Sequence, residues 1–365
     1  MSRGAITELE FLRKLQRLLN EGDFTATYKF ALLNALADLS LESEADPDEA
    51  LRVPVAGIAT KFVEYYWPQV RPYRATEGER FVLFQNAGQQ AAVINALVNV
   101  QSKHPTLPLA RASSAWNGLV RRVARTVEQM PLWKLQVLGS DADEFLYRRS
   151  EYVDGTIRLL PGVPAAFRML YGLVLDAVRG AWVRQINRIS ANRPVLADSD
   201  LVSFLFGSER RSLEAFARIL RDHQRGGCLY CGSAIRRGGD VDHFIAWSRY
   251  PADLGHNLVL AHPRCNRDKR DFLAHPVHLE SWFRSNIERG PELAERLNAA
   301  KLLHDEERTR AIAWWAYEQG EAAGAHAWVC DGELAQLDSS WRRVLGRPML
   351  AKVAEREPPD YVGNS

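Results

Sequence analysis

The spacing of apolar and polar residues along the chain predicts a mostly helical protein. Over residues 5–20, apolar side chains recur at helical spacing on one face, namely Ile6, Leu9, Leu12, Leu15 and Leu19. Gly22 would end that helix. The same pattern predicts a series of further helices, at 25–42, 58–67, 86–103, 113–129, 164–190, 275–290, 291–303, 306–322 and from an N-cap at Ser208 to Gly226-Gly227.

Strands are predicted in two places. Residues 143–160 have the pattern of a hairpin that turns at Asp154-Gly155. Short alternating runs at 233–236 and 240–245 predict a second hairpin around a pair of glycines. The acidic stretch 43–54 is predicted to be a loop. The expected fold class is therefore mainly α, with very little sheet.

A chain of 365 residues is longer than a usual single domain, so several units are expected. We predict a large helical recognition or regulatory domain over 1–225 and a small core over 226–275. A helical C-terminal region over 276–350 is expected to pack back on the first domain, followed by a flexible tail at 351–365. The Trp and Leu stripes of these helices are more typical of core packing than of base stacking.

Composition places the protein among ordinary globular proteins, with 46% hydrophobic and 25% charged residues. Four Cys in a chain of this length argue against a disulfide scaffold and favour a reducing, cytoplasmic location. The N-terminus lacks an apolar signal region and no run is long enough to span a membrane. Cys330 is expected to be a small buried apolar residue.

Net charge is only +2, yet residues 205–275 hold 12 Lys and Arg against 8 Asp and Glu. This local surplus suits a nucleic-acid groove without proving one. Arg121, Arg122 and Arg125 also could contact DNA, but a solvated helix face is the simpler interpretation.

The segment from Cys228 to Arg270 contains two pairs of metal-ligating residues. Cys228 and Cys231 form a Cys-x-x-Cys pair, and His262 and Cys265 follow as a second pair. Two such pairs complete a tetrahedral site, which favours structural Zn²⁺ with no open position for catalysis. A redox pair is the alternative for Cys-x-x-Cys alone. Zinc would stabilise a segment too short for a large core of its own.

Between these pairs lie Asp242-His243 and Asn257, and Asn266 with Lys269 follows the last ligand. In the predicted strand, Asp242 and His243 point to opposite faces. The string C-x-x-C…V-D-H…N-L…H-x-x-C-N-x-x-K resembles the HNH endonuclease family, whose core is a ββα fold around one divalent metal. His262 departs from the family pattern, which has Cys there. The helical string YKFALLNALADL followed by FVEYYWPQ is also similar to the front of stand-alone bacterial HNH proteins, but brings no catalytic residue.

The resemblance implies a role for each residue of the segment. His243 would take a proton from the attacking water, since a neutral imidazole suits that task near neutral pH. Asp242 and Asn266 would bind catalytic Mg²⁺ or Mn²⁺, and Asn257 would orient His243. The basic residues at the last helix, Lys269, Arg267 and Arg270, could hold phosphates. His256 is interpreted as a bystander.

Two functions of different classes follow. The first is a metal-dependent DNA endonuclease or nickase acting on duplex DNA, by analogy a bacterial antiviral defence nuclease that acts as a homodimer or with a partner protein. The second is a zinc-stabilised nucleic-acid- or partner-binding module without cleavage activity. The presence of Asp242, His243 and Asn266 together favours the first.

Overall fold

The structure is a computed structural model that describes residues 5–43, 50–76, 79–196, 200–207 and 210–346. The predicted N-cap Ser208, residues 44–49 of the predicted acidic loop and the predicted tail at 351–365 lie outside these ranges.

Helices dominate the described residues, as the apolar spacing predicts. In chain order they are α1 (Glu8–Glu21), α2 (Tyr28–Glu42), α3 (Val55–Tyr66), α4 (Ala92–Gln101), α5 (Leu107–Arg111), α6 (Ala115–Gln129), α7 (Pro131–Lys134), α8 (Val163–Met169), α9 (Tyr171–Arg188), α10 (Leu201–Phe206), α11 (Arg210–His223), α12 (Pro263–Lys269), α13 (Pro276–Trp282), α14 (Gly290–Ala299), α15 (Glu306–Ala322) and α16 (Trp341–Leu345). Short 3₁₀ turns span Pro68–Val70, Arg149–Glu151, Ser190–Val195 and Gly255–Asn257, and a π-helical segment spans Phe283–Glu288.

The strands are short and pair in twos. They are β1 (Arg52–Pro54), β2 (Arg74–Thr76), β3 (Glu79–Phe81), β4 (Val137–Leu138), β5 (Asp141–Ala142), β6 (Thr156–Arg158), β7 (Asp240–His243), β8 (Leu258–Ala261), β9 (His326–Cys330) and β10 (Glu333–Gln336). In the described ranges each sheet is an antiparallel pair: β1 with β6, β2 with β3, β4 with β5, β7 with β8 and β9 with β10. The mainly α fold class is confirmed.

Two details of the strand prediction are wrong. The predicted turn at Asp154-Gly155 exists, with both residues at positive φ, and its flanks meet in two antiparallel bridges, Val153 with Thr156 and Tyr147 with Leu159. Strand β6 of that turn also pairs with β1, which lies inside the stretch predicted to be an acidic loop. Hairpins β2–β3, β4–β5 and β9–β10 were not predicted either. The strands of the first two hairpins have only two or three residues, too few to show the alternation of polar and apolar residues on which strand prediction depends.

The first helix buries a different face from the predicted one. Phe11, Leu15 and Leu18 are buried, whereas Leu9 is 58% exposed and Leu12 is 36% exposed. The ring of Phe11 lies 4.9 Å from Phe167 and packs edge-on against it. An aromatic side chain contributes more buried area than one leucine, so it decides which face turns inward.

Helix α2 is buried on nearly all sides and forms the centre of the N-terminal helices. It packs against α3, α8, α9 and α15. The predicted helix over 164–190 is divided at Leu170 into α8 and α9. Helix α15 brings the C-terminal region back onto α2, and Trp315 of α15 donates its indole N–H to the carbonyl of Arg168 in α8 at 2.9 Å. The predicted return of the C-terminal region is confirmed.

A buried ionic network joins these helices. Arg308 of α15 is paired with Glu64 of α3 at 3.0 Å and with Glu42 of α2 at 2.9 Å. Lys61 lies 2.5 Å from Glu42. Burial opposes ionisation of Glu64, but Arg308, Lys61 and Arg111 outweigh it and lower its pKa to about 2. The network therefore remains charged and holds α2, α3 and α15 in one arrangement.

Candidate metal centre and catalytic site

The four predicted zinc ligands lie together. The ligand atoms of Cys228, Cys231, His262 and Cys265 are all within 4.8 Å of one another. Three sulfurs and one imidazole nitrogen form a soft donor set of the kind that Zn²⁺ prefers, and four donors fill a tetrahedron. The residues present therefore fit a structural zinc ion. The fourth cysteine, Cys330, is exposed, so its predicted burial is wrong.

The electrostatics of this cluster also fit a cation. Burial and the neighbouring Cys228 and Cys231 raise the pKa of Cys265 to about 12. Burial opposes ionisation of Cys231 as well, but hydrogen bonds involving Ser233 and His262 lower its pKa to about 7. Three converging thiolates repel one another, and a divalent ion would remove that cost.

Local backbone contacts shape the first ligand pair. The amide of Cys228 donates to the carbonyl of Ser233 at 3.0 Å, and the amide of Gly232 donates to the carbonyl of Cys228 at 2.9 Å. Gly232 has φ +70°, a conformation that glycine adopts at little cost. The chain thus folds back directly after Cys231, which directs the two sulfurs toward one point.

The predicted hairpin between 233–236 and 240–245 is wrong in its partner strand. Strand β7 pairs with β8, with Asp240 opposite Ala261 and His243 opposite Leu258. Residues 233–236 instead contact the zinc-binding turn through a bridge between Gly227 and Ala234. Helix α12 packs against β7. The resulting order of strand, loop, strand and helix is the ββα arrangement that the resemblance implies.

The carboxylate of Asp242 is nearly buried and is contacted by two neighbours. Its Oδ2 lies 3.1 Å from the ammonium of Lys269 and accepts a hydrogen bond from the Tyr230 hydroxyl at 2.5 Å. Lys269 also donates to the main-chain carbonyl of His243 at 3.0 Å. This lysine therefore connects α12 to both residues of the Asp-His pair.

Lys269 has no exposed surface, so the prediction that it holds phosphates is wrong in this structure. Its amphipathic stem lies in the core, and its charge is compensated by Asp242. Arg267 and Arg270, by contrast, are exposed beside the same helix, and Arg270 adopts φ +50° at the end of α12.

Asn266 lies one helical turn before Lys269 and contacts the other acidic residue of β7. Its amide nitrogen donates to Oδ2 of Asp240 at 3.1 Å. Asp240 and Asp242 are two apart on the strand and so share the face toward α12. Asp240 is absent from the set of residues predicted from the sequence. Its position two residues before Asp242, on the same strand face, is the signal that could have found it.

The imidazole of His243 ends β7 and leaves the strand on the other face. Its Nε2 lies 2.8 Å from Oδ1 of Asp253, and its ring lies 5.4 Å from the ring of Trp247. Asp253 lies in the loop between β7 and β8. No spacing rule points to it, so the sequence analysis does not include it.

Asn257 fixes the backbone that follows His243. Its side chain accepts from the amide of Ile245 at 2.8 Å and donates to the carbonyl of the same residue at 2.9 Å. The amide of Phe244 donates to the carbonyl of Asn257 at 2.7 Å. These bonds join the end of β7 to the start of β8 and fix where the His243 main chain runs.

His256 lies deep in the fold, 1% exposed, away from the Asp-His pair. Burial lowers its pKa to about 4. The unfolded chain, with an ordinary histidine pKa near 6.5, takes up this proton at a higher pH than the folded chain does. The stability that His256 supports is thus present above pH 6.5 and is lost as the pH falls toward 4.

We therefore expect the free energy of unfolding to fall by about 3 kcal/mol between pH 7 and pH 4 through His256 alone. Urea unfolding of the wild type and of His256→Asn at both pH values measures this change in the free energy of unfolding. The pH effect should shrink in the variant, while His326→Asn, at an exposed position, should keep the full effect. An unchanged pH effect in His256→Asn would contradict the assignment.

Two protein-family models match the chain. A model described as a domain of unknown function (DUF8808) matches residues 8–205, more than half of the 365 residues. The HNH endonuclease model matches residues 228–272. The chain belongs to the DUF8808 family and carries an HNH endonuclease domain. No curated protein and no solved structure matches it.

The HNH domain indicates nuclease activity in general, together with a metal centre and nucleic-acid binding. Its matched range contains the zinc cluster, the Asp-His pair, Asn257 and α12. The DUF8808 match covers α1 to α10 and leaves the connecting helix α11 between the two. Among the described residues, no helix is both long and apolar enough for a membrane crossing.

The HNH domain depends on the helices that follow its matched range. Trp282 donates to the carbonyl of His256 at 2.9 Å and stacks on Phe244 with ring centroids 4.9 Å apart. Asn286, fully buried, donates to the carbonyls of His256 and Leu258 at 3.0 and 2.9 Å. These bonds satisfy buried carbonyls at the start of β8 that would otherwise lack partners.

Proposed function

We propose that the protein is a metal-dependent DNA endonuclease or nickase that hydrolyses phosphodiester bonds with His243 as general base. The observation that carries the proposal is the position of Lys269. It bonds both the Asp242 carboxylate and the His243 carbonyl, so the two residues that the chemistry requires are held against α12, which carries Asn266.

His243 has the contacts that a base requires. Asp253 accepts the proton of Nε2, which leaves Nδ1 as the nitrogen that takes a proton from the attacking water. Asp253 also favours the imidazolium that forms, because the carboxylate is in direct contact with the ring. Asn257 positions His243 through the backbone of Ile245 and not through the ring.

The oxygen donors at β7 and α12 suit Mg²⁺ or Mn²⁺. Oδ2 of Asp242 contacts Lys269 and Tyr230, which leaves Oδ1 as the atom that would bind the metal ion. Asp240 binds the amide nitrogen of Asn266, so the amide oxygen of Asn266 is the second ligand atom. A bound divalent ion supplies charge stabilisation at the phosphate and at the departing 3′-oxygen.

Exposed arginines beside α12 complete the proposed site. Arg267 and Arg270 are placed to bind phosphates of duplex DNA flanking the scissile bond. One HNH domain cuts one strand, so a double-strand break would require a homodimer or two successive encounters. A cytoplasmic location suits the thiols of the zinc cluster, which are all unpaired. Defence against foreign or modified DNA, with a partner protein, is a proposal by analogy.

Supercoiled plasmid incubated with the zinc-loaded chain tests the proposal. We expect conversion to the nicked circle with Mg²⁺ or Mn²⁺, and none with Ca²⁺, which is larger and bound by more ligands. Circular RNA and circular single-stranded DNA, incubated in parallel, show which type of nucleic acid is cut. If plasmid is bound in a mobility-shift assay but never cut, the alternative function is supported, namely a zinc-stabilised binding module without cleavage activity.

Replacing Asp253 with asparagine should lower kcat for nicking by about 10- to 100-fold, the size typical when an outer hydrogen-bond partner is lost. KM for DNA should be unchanged, because Asp253 acts through His243 and is not one of the arginines proposed to bind phosphates. Asp253→Glu should restore part of the rate. A rise in KM with unchanged kcat would instead assign Asp253 to DNA binding.

A further inference from the structure

A large cavity lies between the DUF8808 region and the HNH domain. Its volume is about 570 Å³, within the range of small-molecule sites. The N-terminal helices α2, α3 and α9 form one wall, and helix α11 forms another. The loop of the HNH domain from Trp247 to Asp253 and the chain before α15 close it. Of the residues that line it, the proposed hydrolysis uses only Asp253, the partner of His243.

A buried polar atom in the cavity wall lacks a partner. Asn34 of α2 is only 3% exposed, and within the described residues its Oδ1 has no hydrogen-bond partner. Leaving a buried carbonyl oxygen unsatisfied destabilises the folded state, because its bonds to water are lost and not replaced. Such a cost persists in a folded protein where a ligand supplies the missing donor. This acceptor therefore calls for a ligand with an N–H or O–H group.

An arginine in the same wall also has a buried nitrogen without a hydrogen-bond partner among the described residues. Nε of Arg179, on α9, is buried without a hydrogen-bond partner in the part of the chain that the structure describes, and its guanidinium lies 4.9 Å from the ring centre of Phe206. Lys301 contributes a second positive charge to the wall. By contrast, Arg308 is already paired with Glu42 and Glu64. The acidic residues of the lining, Asp38, Glu64 and Asp253, are already bonded to Lys61, Arg308 and His243. The group left unsatisfied is Nε of Arg179, which calls for an anion.

Aromatic side chains also line the cavity. Trp67, Phe206, Phe216 and Trp247 all contribute to the lining. Aromatic faces stack favourably on flat rings such as nucleic-acid bases. A flat ring with N–H donors joined to an anionic phosphate satisfies the acceptor, the cation and the aromatic faces together. A nucleotide has this chemistry.

We propose that this cavity binds a nucleotide between Asn34 and Arg179, and that the bound nucleotide acts on the nuclease through the segment from Tyr250 to Asp253. The nucleotide is either a free mononucleotide or one turned out of the substrate strand, since both carry the same groups. The action on cleavage rests on the proposed nuclease function. Binding to the cavity does not.

The contacts of that segment supply the coupling. Tyr250 lines the cavity and its hydroxyl donates to Glu42 of α2 and accepts from Arg308 at 2.7 Å. Three residues later, Asp253 also lines the cavity and binds Nε2 of His243. A ligand seated against this segment touches the partner of the proposed base directly. Cavity and nuclease site therefore share one short loop.

Binding is tested with the full zinc-loaded chain and the 5′-monophosphates of the deoxy- and ribonucleosides, by thermal shift and titration calorimetry. We expect at least one monophosphate to raise Tm more than inorganic phosphate does at the same concentration. Asn34→Leu and Arg179→Gln should each weaken binding about tenfold or more, the size of one lost charged or buried hydrogen bond. Arg184→Gln, exposed on the same helix, should bind as the wild type does.

Two further arms identify the source and the coupling. If the strand supplies the nucleotide, the monophosphate competes with a fluorescein-labelled duplex bound to the His243→Ala chain. If a free nucleotide is the ligand, the duplex stays bound and the wild-type nicking rate changes about fivefold or more, the usual size of a coupling between sites. If a chain that binds nucleotide shows neither of these effects, the proposed coupling is overturned.

The nucleotide site itself is overturned by either of two results. One is that no monophosphate binds better than phosphate. The other is that Asn34→Leu and Arg179→Gln bind as tightly as Arg184→Gln. Failure of the nuclease proposal looks different, because a chain that binds nucleotide but never nicks plasmid keeps the cavity assignment and loses only the cleavage function.

Discussion

Replacement of His243 by alanine should reduce the plasmid nicking rate by about 10²- to 10⁴-fold, the usual contribution of a positioned general base. The fold should survive the change. The side-chain contacts of His243 are with Asp253 and Trp247, while the backbone remains held by Lys269 and by the β7–β8 pairing. The measurement is the initial rate of nicking with Mg²⁺ at equal protein concentration.

Added imidazole should partly restore nicking by His243→Ala, because a small base can enter the space that the ring leaves. His326→Ala is the matched control, since His326 is exposed on β9 outside the HNH match. It should nick at the wild-type rate. Equal rates for wild type and His243→Ala would remove His243 from the chemistry, and with it the proposed mechanism.

Loss of zinc should unfold the HNH domain. Structural zinc sites are worth about 10–16 kcal/mol of folding free energy, more than most domains possess in total. Chelation, or Cys265→Ser, should therefore make residues 228–272 susceptible to protease while the DUF8808 helices, which contribute most of the buried apolar residues, remain protected. Limited proteolysis with mass spectrometry, alongside metal analysis of the intact chain, measures both effects.

Cys330→Ser provides the control for that experiment. Cys330 is exposed on β9 and is no member of the ligand cluster, so its loss should change neither zinc content nor proteolysis. A Cys265→Ser chain that retains a full equivalent of zinc and wild-type protease resistance would show that the four residues do not hold a structural metal.

Short-range sequence patterns predicted the metal cluster well. Cys-x-x-Cys and the pair His262 and Cys265 each bring two donors together within a single turn, so only one long-range contact remains to be made. The mainly helical fold was predictable for the same reason. Helical periodicity is a local property that a run such as 306–322 shows in full, and α15 spans those residues.

Pairing across longer distances was not predictable. Strand β7 had a nearer candidate at 233–236, with two glycines between them, yet it pairs with β8 beyond the loop that contains Asp253. Which partner wins depends on burial, and all four residues of β8 are buried. Composition alone cannot distinguish these two possible partner strands.

The burial of Lys269 was missed for a related reason. A lysine on a short helix is usually solvated, and only the fold brings Asp242 and Tyr230 around it. Likewise the contact of His243 with Asp253 depends on how the loop folds back. The proposed site residues were predictable as a set, but the partners that position them were not.

The bonds from Trp282 and Asn286 determine how much chain a transplanted nuclease cassette would need. If only residues 228–272 were transferred to another protein, the carbonyls of His256 and Leu258 would lose their hydrogen-bond donors. The ring of Phe244 would also lose its stacking partner. The smallest portable piece therefore extends through Glu288, the end of the π-helical segment.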